Sequence, residues 1–277
     1  MTIAWPPTVV VAEPTLLAHL VAGLLEEAAL LTDSDRRAQL TVILHPSEQN
    51  LHDETGAPTW TRAVYDGAVH VVSEPKEDFG VRIESLRHEV MHAAMHAAAV
   101  CTPAWFNEGV AMYFSNRVPS AAWRRILRDN ETIDLGVLAV PSFVGSEAVK
   151  TKLDVDVAYG ESLAMVLYAI ERGRGIDVIV DSLRAVRPDA ARAAASGLWT
   201  AIDPHATAQD LRAWLGHRLF GVSSVDELDG ISQAAVCCWG SRRISTFGCR
   251  MVPAHPNETL WYDESSGRSA VCTNGWL

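Results

Sequence analysis

The chain has 277 residues, of which 48% are hydrophobic and 21% charged, with a formal net charge of −11 and a pI near 5.3. Such a composition buries a sizeable core and argues against a disordered or collagen-like chain. The acidic surface repels phosphate backbones and offers no polybasic segment, so neither nucleic acid nor an anionic membrane surface is an expected partner.

The N-terminal MTIAWPPTVVVAEP lacks a basic leader region and is interrupted by Pro6 and Pro7, so it does not read as a signal peptide. Thr8 to Ala12 reads as a short strand, and Pro14 to Leu31 as an amphipathic helix with Leu16, Leu17, Leu20, Leu24, Leu25 and Ala28 near helical spacing. No apolar run reaches the roughly 18–20 residues of a bilayer span. Asp33 to Asp35 marks a turn, Gln39 to His45 a buried strand, and the polar stretch from Pro46 to Thr61 a loop. Arg62 to Tyr65, Asp66-Gly67 and Ala68 to Val72 form a hairpin pattern, with Asp-Gly favouring a type I′ turn. A helix is expected over Phe79 to Val100, and a second from Pro103 to about Phe114 with Thr102 as its N-cap. A mixed segment covers Arg117 to Leu153. Helices are then expected at Asp156–Glu171, Ile176–Val186, Asp189–Gly197 and Ala208–Leu219.

Strands first and helices after predict an α+β fold. A small sheet and one long helix form the N-terminal half, a mostly helical half follows, and the active site is expected in the cleft between them. The composition changes near Gly221, which divides the chain into an expected domain over 1–220 and a Cys-containing extension over 221–277. Cys237, Cys238, Cys249 and Cys272 lie in that extension. They read either as two disulfides in an oxidising compartment or as reduced thiols. The lack of a visible leader leans toward the cytoplasm, and removal of one would mean secretion. Adjacent Cys237-Cys238 does not have the C-x-x-C spacing of a zinc knuckle.

Residues 88–92 are His-Glu-Val-Met-His. At i and i+4 of a helix, His88 and His92 project from one face about one turn apart and can reach a single zinc ion. Glu89 cannot share that geometry as a ligand, but it can reach a water on the ion and act as general base. A catalytic zinc takes three protein ligands and keeps one position open. Glu108, on the next helix in Trp105-Phe106-Asn107-Glu108-Gly109, is the natural third ligand. These residues point to one Zn2+ per chain, held by His88, His92 and Glu108.

HEVMH followed by Asn107-Glu108-Gly109 resembles the gluzincin pattern of thermolysin-like peptidases and related aminopeptidases. More closely, Pro103-Ala104-Trp105-Phe106-Asn107-Glu108-Gly109-Val110-Ala111 is similar to the P-x-W-x-x-E-G-x-A segment of compact bacterial peptidase-MA-like domains. The resemblance covers about residues 35–220 and not the tail. It implies a peptide or protein substrate and zinc-dependent hydrolysis with Glu89 as base. It also implies Tyr159, at the start of a later helix, as a hydrogen-bond donor to the oxyanion. In this family an edge strand before the metal helix pairs with extended substrate, here Ala68 to Ser73. Met112 stands where thermolysin-like enzymes have an Asp that orients a histidine ligand, so that support must come from elsewhere. Two rival readings share the ligands: a zinc hydrolase acting on a non-peptide amide, and a non-catalytic zinc-containing binding protein. The residues carry no signal for oligomeric state or for exo- against endo-cleavage.

Overall fold

A computed structural model describes residues 1–9, 11, 13–32, 40–74, 81–98, 102–117, 119–128, 138, 151–173, 175–185, 211, 213–216, 249–255, 258–263 and 268–273. Strand β1 (Thr2–Ala4) is followed by helix α1 (Pro14–Thr32), β2 (Thr41–His45), α2 (Glu48–Thr55), β3 (Ala63–Tyr65) and β4 (Val69–Val72). Then come α3 (Ile83–Ala98), α4 (Ala104–Ser115), α5 (Ser120–Arg128), α6 (Lys152–Arg172) and α7 (Asp177–Ala185). The fold is α+β, with a four-stranded mixed sheet in the N-terminal half and a mostly helical half after it. The sheet order is β1-β2-β4-β3, parallel through the first three strands and antiparallel at β3.

Alternation along the strands decides which side chains enter the core. Val42, Leu44, Val69 and Val71 pack with Leu17, Val21 and Leu24 of α1 and with Leu86 and Val90 of α3. Leu17, Val21, Leu24 and Ala28 recur at helical spacing, and burying each of the larger ones is worth about 1.5–3 kcal/mol. By length and apolarity α1, with mean hydropathy 1.4, is also a helix that could cross a bilayer; here one stripe of it packs on α3. Arg87 ties three helices together. Its Nε donates to the Phe114 carbonyl at 3.0 Å, an Nη2 to Glu27 at 3.2 Å, and its guanidinium lies over the Phe114 ring.

Gly109 sets how closely α4 meets α6. A Cβ there would overlap the Ser162 carbonyl oxygen and crowd Val166, so only glycine admits this approach. Gly160 does the same between α6 and α5, where Trp123 Nε1 donates to the Gly160 carbonyl at 2.7 Å. The N-terminal sheet half and the helical half thus adjoin along α3, α4 and α6.

Several expectations are corrected. The first strand is Thr2–Ala4, not Thr8–Ala12. Its Thr2 N–H donates to the Leu40 carbonyl, while Val9 N–H closes a turn onto Pro6, so the proline pair ends the extended run. The expected loop over 46–61 contains α2, a polar helix with one buried apolar residue, Leu51. Ser47 Oγ caps it by accepting from Asn50 N–H at 3.2 Å, and Gly56 at φ +71° ends it; apolar periodicity could not have found it. The hairpin forms, but over a three-residue connection, because Tyr65 pairs with Val69. Gly67 has φ +120° and Asp66 is not at positive φ, so the turn is not type I′. The metal helix begins at Ile83, because Val81 is held in a bridge to Ser73.

Pro103, not Thr102, is the N-cap of α4: its carbonyl accepts from the N–H groups of both Phe106 and Asn107. α6 starts earlier than expected, at Lys152, because Thr151 and Asp154 form a reciprocal capping box. The segment over 117–153 contains α5. The helix expected at Asp189–Gly197, the turn at Asp33–Asp35 and the boundary near Gly221 lie outside the described residues. The tail, which shows no sustained period in sequence, contains a meander of β5 (Cys249–His255), β6 (Glu258–Asp263) and β7 (Arg268–Thr273).

Candidate metal centre

One and a half turns into α3, His88, Glu89 and His92 all turn inward and are buried. α4 packs across this face and brings Glu108 to it. His88 Nε2 lies 3.0 Å from His92 Nε2 and 3.1 Å from Glu108 Oε2, and His92 Nε2 lies 3.3 Å from the same oxygen. A tetrahedral ion with bonds of about 2.0–2.1 Å keeps its donors roughly 3.3 Å apart. The three donors therefore fit zinc by both chemistry and spacing, and His88, His92 and Glu108 form a cluster able to coordinate a metal ion.

The electrostatics favour a cation at this point. Burial alone would push the Glu108 carboxyl up, but His92 and His88 outweigh it and hold the group well below the ordinary carboxylate range. Burial would likewise lower His92, but the charge and hydrogen bond of Glu108, then Glu89 and Asn107, carry it up to about 9. A proton on His92 and a metal ion thus compete for the same lone pair.

His92 Nδ1–H donates to Asn107 Oδ1 at 3.1 Å, which aims its Nε2 at the cluster. This is the support that Met112, buried in the core, does not supply. The sequence motif alone assigns Asn107 no role. Its place one residue before Glu108 and on the first turn of α4 was the available signal. His88 Nδ1 is buried with no hydrogen-bond partner among the described residues, so the outer support is present at one histidine only.

Glu89 lies beside this triangle and is coupled to both histidines and to Glu108. Burial raises its pKa above the usual value, against the pull of the two histidines. The backbone N–H of Tyr65 donates to its carboxylate. That N–H comes from the sheet edge. Arg62 is bonded across to Val72, so in the antiparallel ladder Val64 faces β4 while Ala63 and Tyr65 face outward.

Tyr159 stands with its ring centroid 6.2 Å from that of His88. Burial, then Glu108 and Glu89, raises its pKa well above 10, so the phenol keeps its proton. It lies in the second turn of α6 rather than at the helix start. The chain thus brings together all five residues singled out in the sequence: His88, Glu89, His92, Glu108 and Tyr159.

The strand Ala68–Ser73 does not fit the role expected of it. β4 is paired on both sides, with β2 and β3, and has no open edge. Among the described residues the edge next to α3 is β3. His96, one turn beyond His92, is exposed, and its Nδ1 lies 2.9 Å from the Tyr65 hydroxyl.

No protein-family model matches the chain. Nor does any curated protein match it.

Proposed function

We propose that the protein is a zinc-dependent hydrolase of the gluzincin kind that cleaves peptide bonds. The observation that carries this reading is the convergence of His88 Nε2, His92 Nε2 and Glu108 Oε2 within 3.0–3.3 Å, with a buried Glu89 beside them. His88, His92 and Glu108 would hold the ion. When bound, zinc lowers the pKa of a coordinated water and polarises a carbonyl oxygen.

Glu89 takes the proton of the attacking water and passes it to the leaving nitrogen; burial raises its pKa and so makes the carboxylate a stronger proton acceptor. Tyr159, kept protonated by its surroundings, donates a hydrogen bond to the oxyanion. An extended peptide pairs with β3, through the outward-facing N–H and C=O of Ala63. Asn107 holds His92 in the tautomer that leaves Nε2 for the ion.

A second reading draws on burial. His88, Glu89 and His92 are only 6–9% exposed, as in a closed structural site. In that reading the ion pins α3 to α4 and the protein binds a partner without catalysis. Zinc content and cleavage of a mixed peptide library, compared between wild type and Glu89→Gln, separate the two. The peptidase reading expects both proteins to hold zinc and the variant to lose about 10²–10⁴-fold in kcat. Zinc in both with no cleavage of peptides or small amides by wild type would leave the binding reading standing.

A further inference from the structure

The sheet face turned away from α1 and α3 carries two histidines. Val42, Leu44, Val69 and Val71 enter the core, so by alternation Ile43, His45 and His70 point the other way. The parallel register pairs Ile43 with His70 and His45 with Val72. His45 and His70 are therefore diagonal neighbours on that face, within reach of each other's rings. α2 packs against β2 and β4, anchored by the buried Leu51, and brings Glu54 to the same place.

The geometry is specific. His45 Nε2 lies 2.9 Å from His70 Nδ1, and the two residues are 3% and 5% exposed. His70 Nε2 lies 3.2 Å from Asp66 Oδ1. Glu54 Oε2 lies 3.7 Å from His45 Nδ1, beyond hydrogen-bond range, and the Glu54 side chain is 55% exposed. One donor atom from each of His45, His70 and Glu54 falls within 4.8 Å of the others. His45 and Glu54 also line a cavity of about 500 Å³, with Asn50 and Asp53 on its wall.

With Asp66 beside Nε2, the His70 tautomer protonated at Nε2 offers its Nδ1 lone pair toward His45. Glu54 stands on the Nδ1 side of His45, 3.7 Å away. Without an ion, His45 Nε2–H can donate to His70 Nδ1 across 2.9 Å; with the His45 proton on Nδ1, both inner lone pairs are offered to one cation. A divalent ion bound there also gathers the Glu54 carboxylate. It completes a His–carboxylate arrangement in which Asp66 is the outer partner of a histidine ligand. Two imidazoles and a carboxylate suit zinc and its neighbours rather than calcium or magnesium.

We propose that His45, His70 and Glu54 form a second divalent-metal site, of zinc-like chemistry, that pins α2 to the outer face of the sheet. It shares no residue with the α3–α4 cluster and does not depend on the peptidase reading.

The test is zinc stoichiometry and affinity on the full chain, with circular dichroism to show that each variant is folded. Wild type is expected to hold about two zinc ions per chain. Glu54→Gln, at an exposed position, is expected to hold one. Asp66→Asn is expected to weaken the second ion about 10–100-fold and leave the first unchanged. Peptide cleavage is expected to be unaltered in both. One zinc in wild type, retained unchanged in Glu54→Gln and Asp66→Asn, overturns the site and makes His45–His70 a proton-sharing pair. A single zinc lost in Glu54→Gln but kept in His92→Gln supports this site and overturns the α3–α4 one, so the two readings fail separately.

Discussion

The two histidine clusters lie on opposite faces of one sheet and are built by different means. On the core side, His88 and His92 stand one helical turn apart on α3, so local geometry alone puts their imidazoles side by side. On the outer side, His45 and His70 are 25 residues apart and meet only because β2 and β4 pair in parallel with one particular register. A shift of that register by one residue would turn either histidine to the other face, whereas no sheet rearrangement separates His88 from His92. The core-side cluster has a buried carboxylate, Glu89, beside its ligands. The outer one has its one carboxylate, Glu54, more than half exposed on a cavity wall. A buried carboxylate beside the cluster is what the proposed hydrolysis needs, and a half-exposed one between a helix and a sheet is what the proposed second site needs.

That contrast is sharpest where a substitution touches one cluster and leaves the other alone. Tyr159→Phe removes the hydroxyl of a ring whose centroid lies 6.2 Å from that of His88, and it touches neither outer histidine's sequence segment. A loss of about 10²–10³-fold in kcat, with zinc content and KM little changed, is expected from the removal of one oxyanion donor. Undiminished kcat would make Tyr159 a packing residue. Asn107→Ala comes next: losing the partner of His92 should weaken zinc at the α3–α4 cluster about 10–100-fold and leave the outer ion's affinity as it was. Equal weakening of both would show that the clusters are not independent.

Gly109→Ala tests the frame rather than the chemistry. The gain in helix propensity, about 1 kcal/mol, is outweighed by overlap with the Ser162 backbone. Overpacking costs about 1–3 kcal/mol, and a rigid carbonyl puts this site at the upper end, so the melting temperature should fall. An unchanged melting temperature would mean that α4 and α6 separate without cost. Ala63→Pro carries the smallest expected effect. It deletes an outward-facing N–H of β3 without touching the ladder to β4. Peptide cleavage should drop by about fivefold, the worth of roughly one hydrogen bond of about 1 kcal/mol, with zinc content intact. Unaltered kinetics would remove β3 as the substrate edge.

Much of the fold was legible because its signals are local. The apolar stripe of α1, the β-prone run of β2, the hairpin and the two helices around Pro103 all stand close to where their periodicity placed them. α2 was not legible, because a helix with one buried residue shows no amphipathic period and is declared only by its caps at Ser47 and Gly56. The first strand was misplaced for a related reason. Val9, Val10 and Val11 are strongly β-prone, but the extended run pairs upstream, where Thr2 meets Leu40, and the prolines turn the chain before the valines.

The sequence by itself determined the α3–α4 cluster. Four residues on a helix span one turn, so His-Glu-x-x-His is a spatial statement as well as a linear one, and Glu108 needed only a short connection to reach it. Tertiary structure alone decided the rest: which strand is the open edge, which residue supports His92, how near Tyr159 comes, and that His45 and His70 face each other at all. Those depend on register and on the close approach of α4 to α6. Both are set by pairings between distant segments, and no spacing along the chain encodes them.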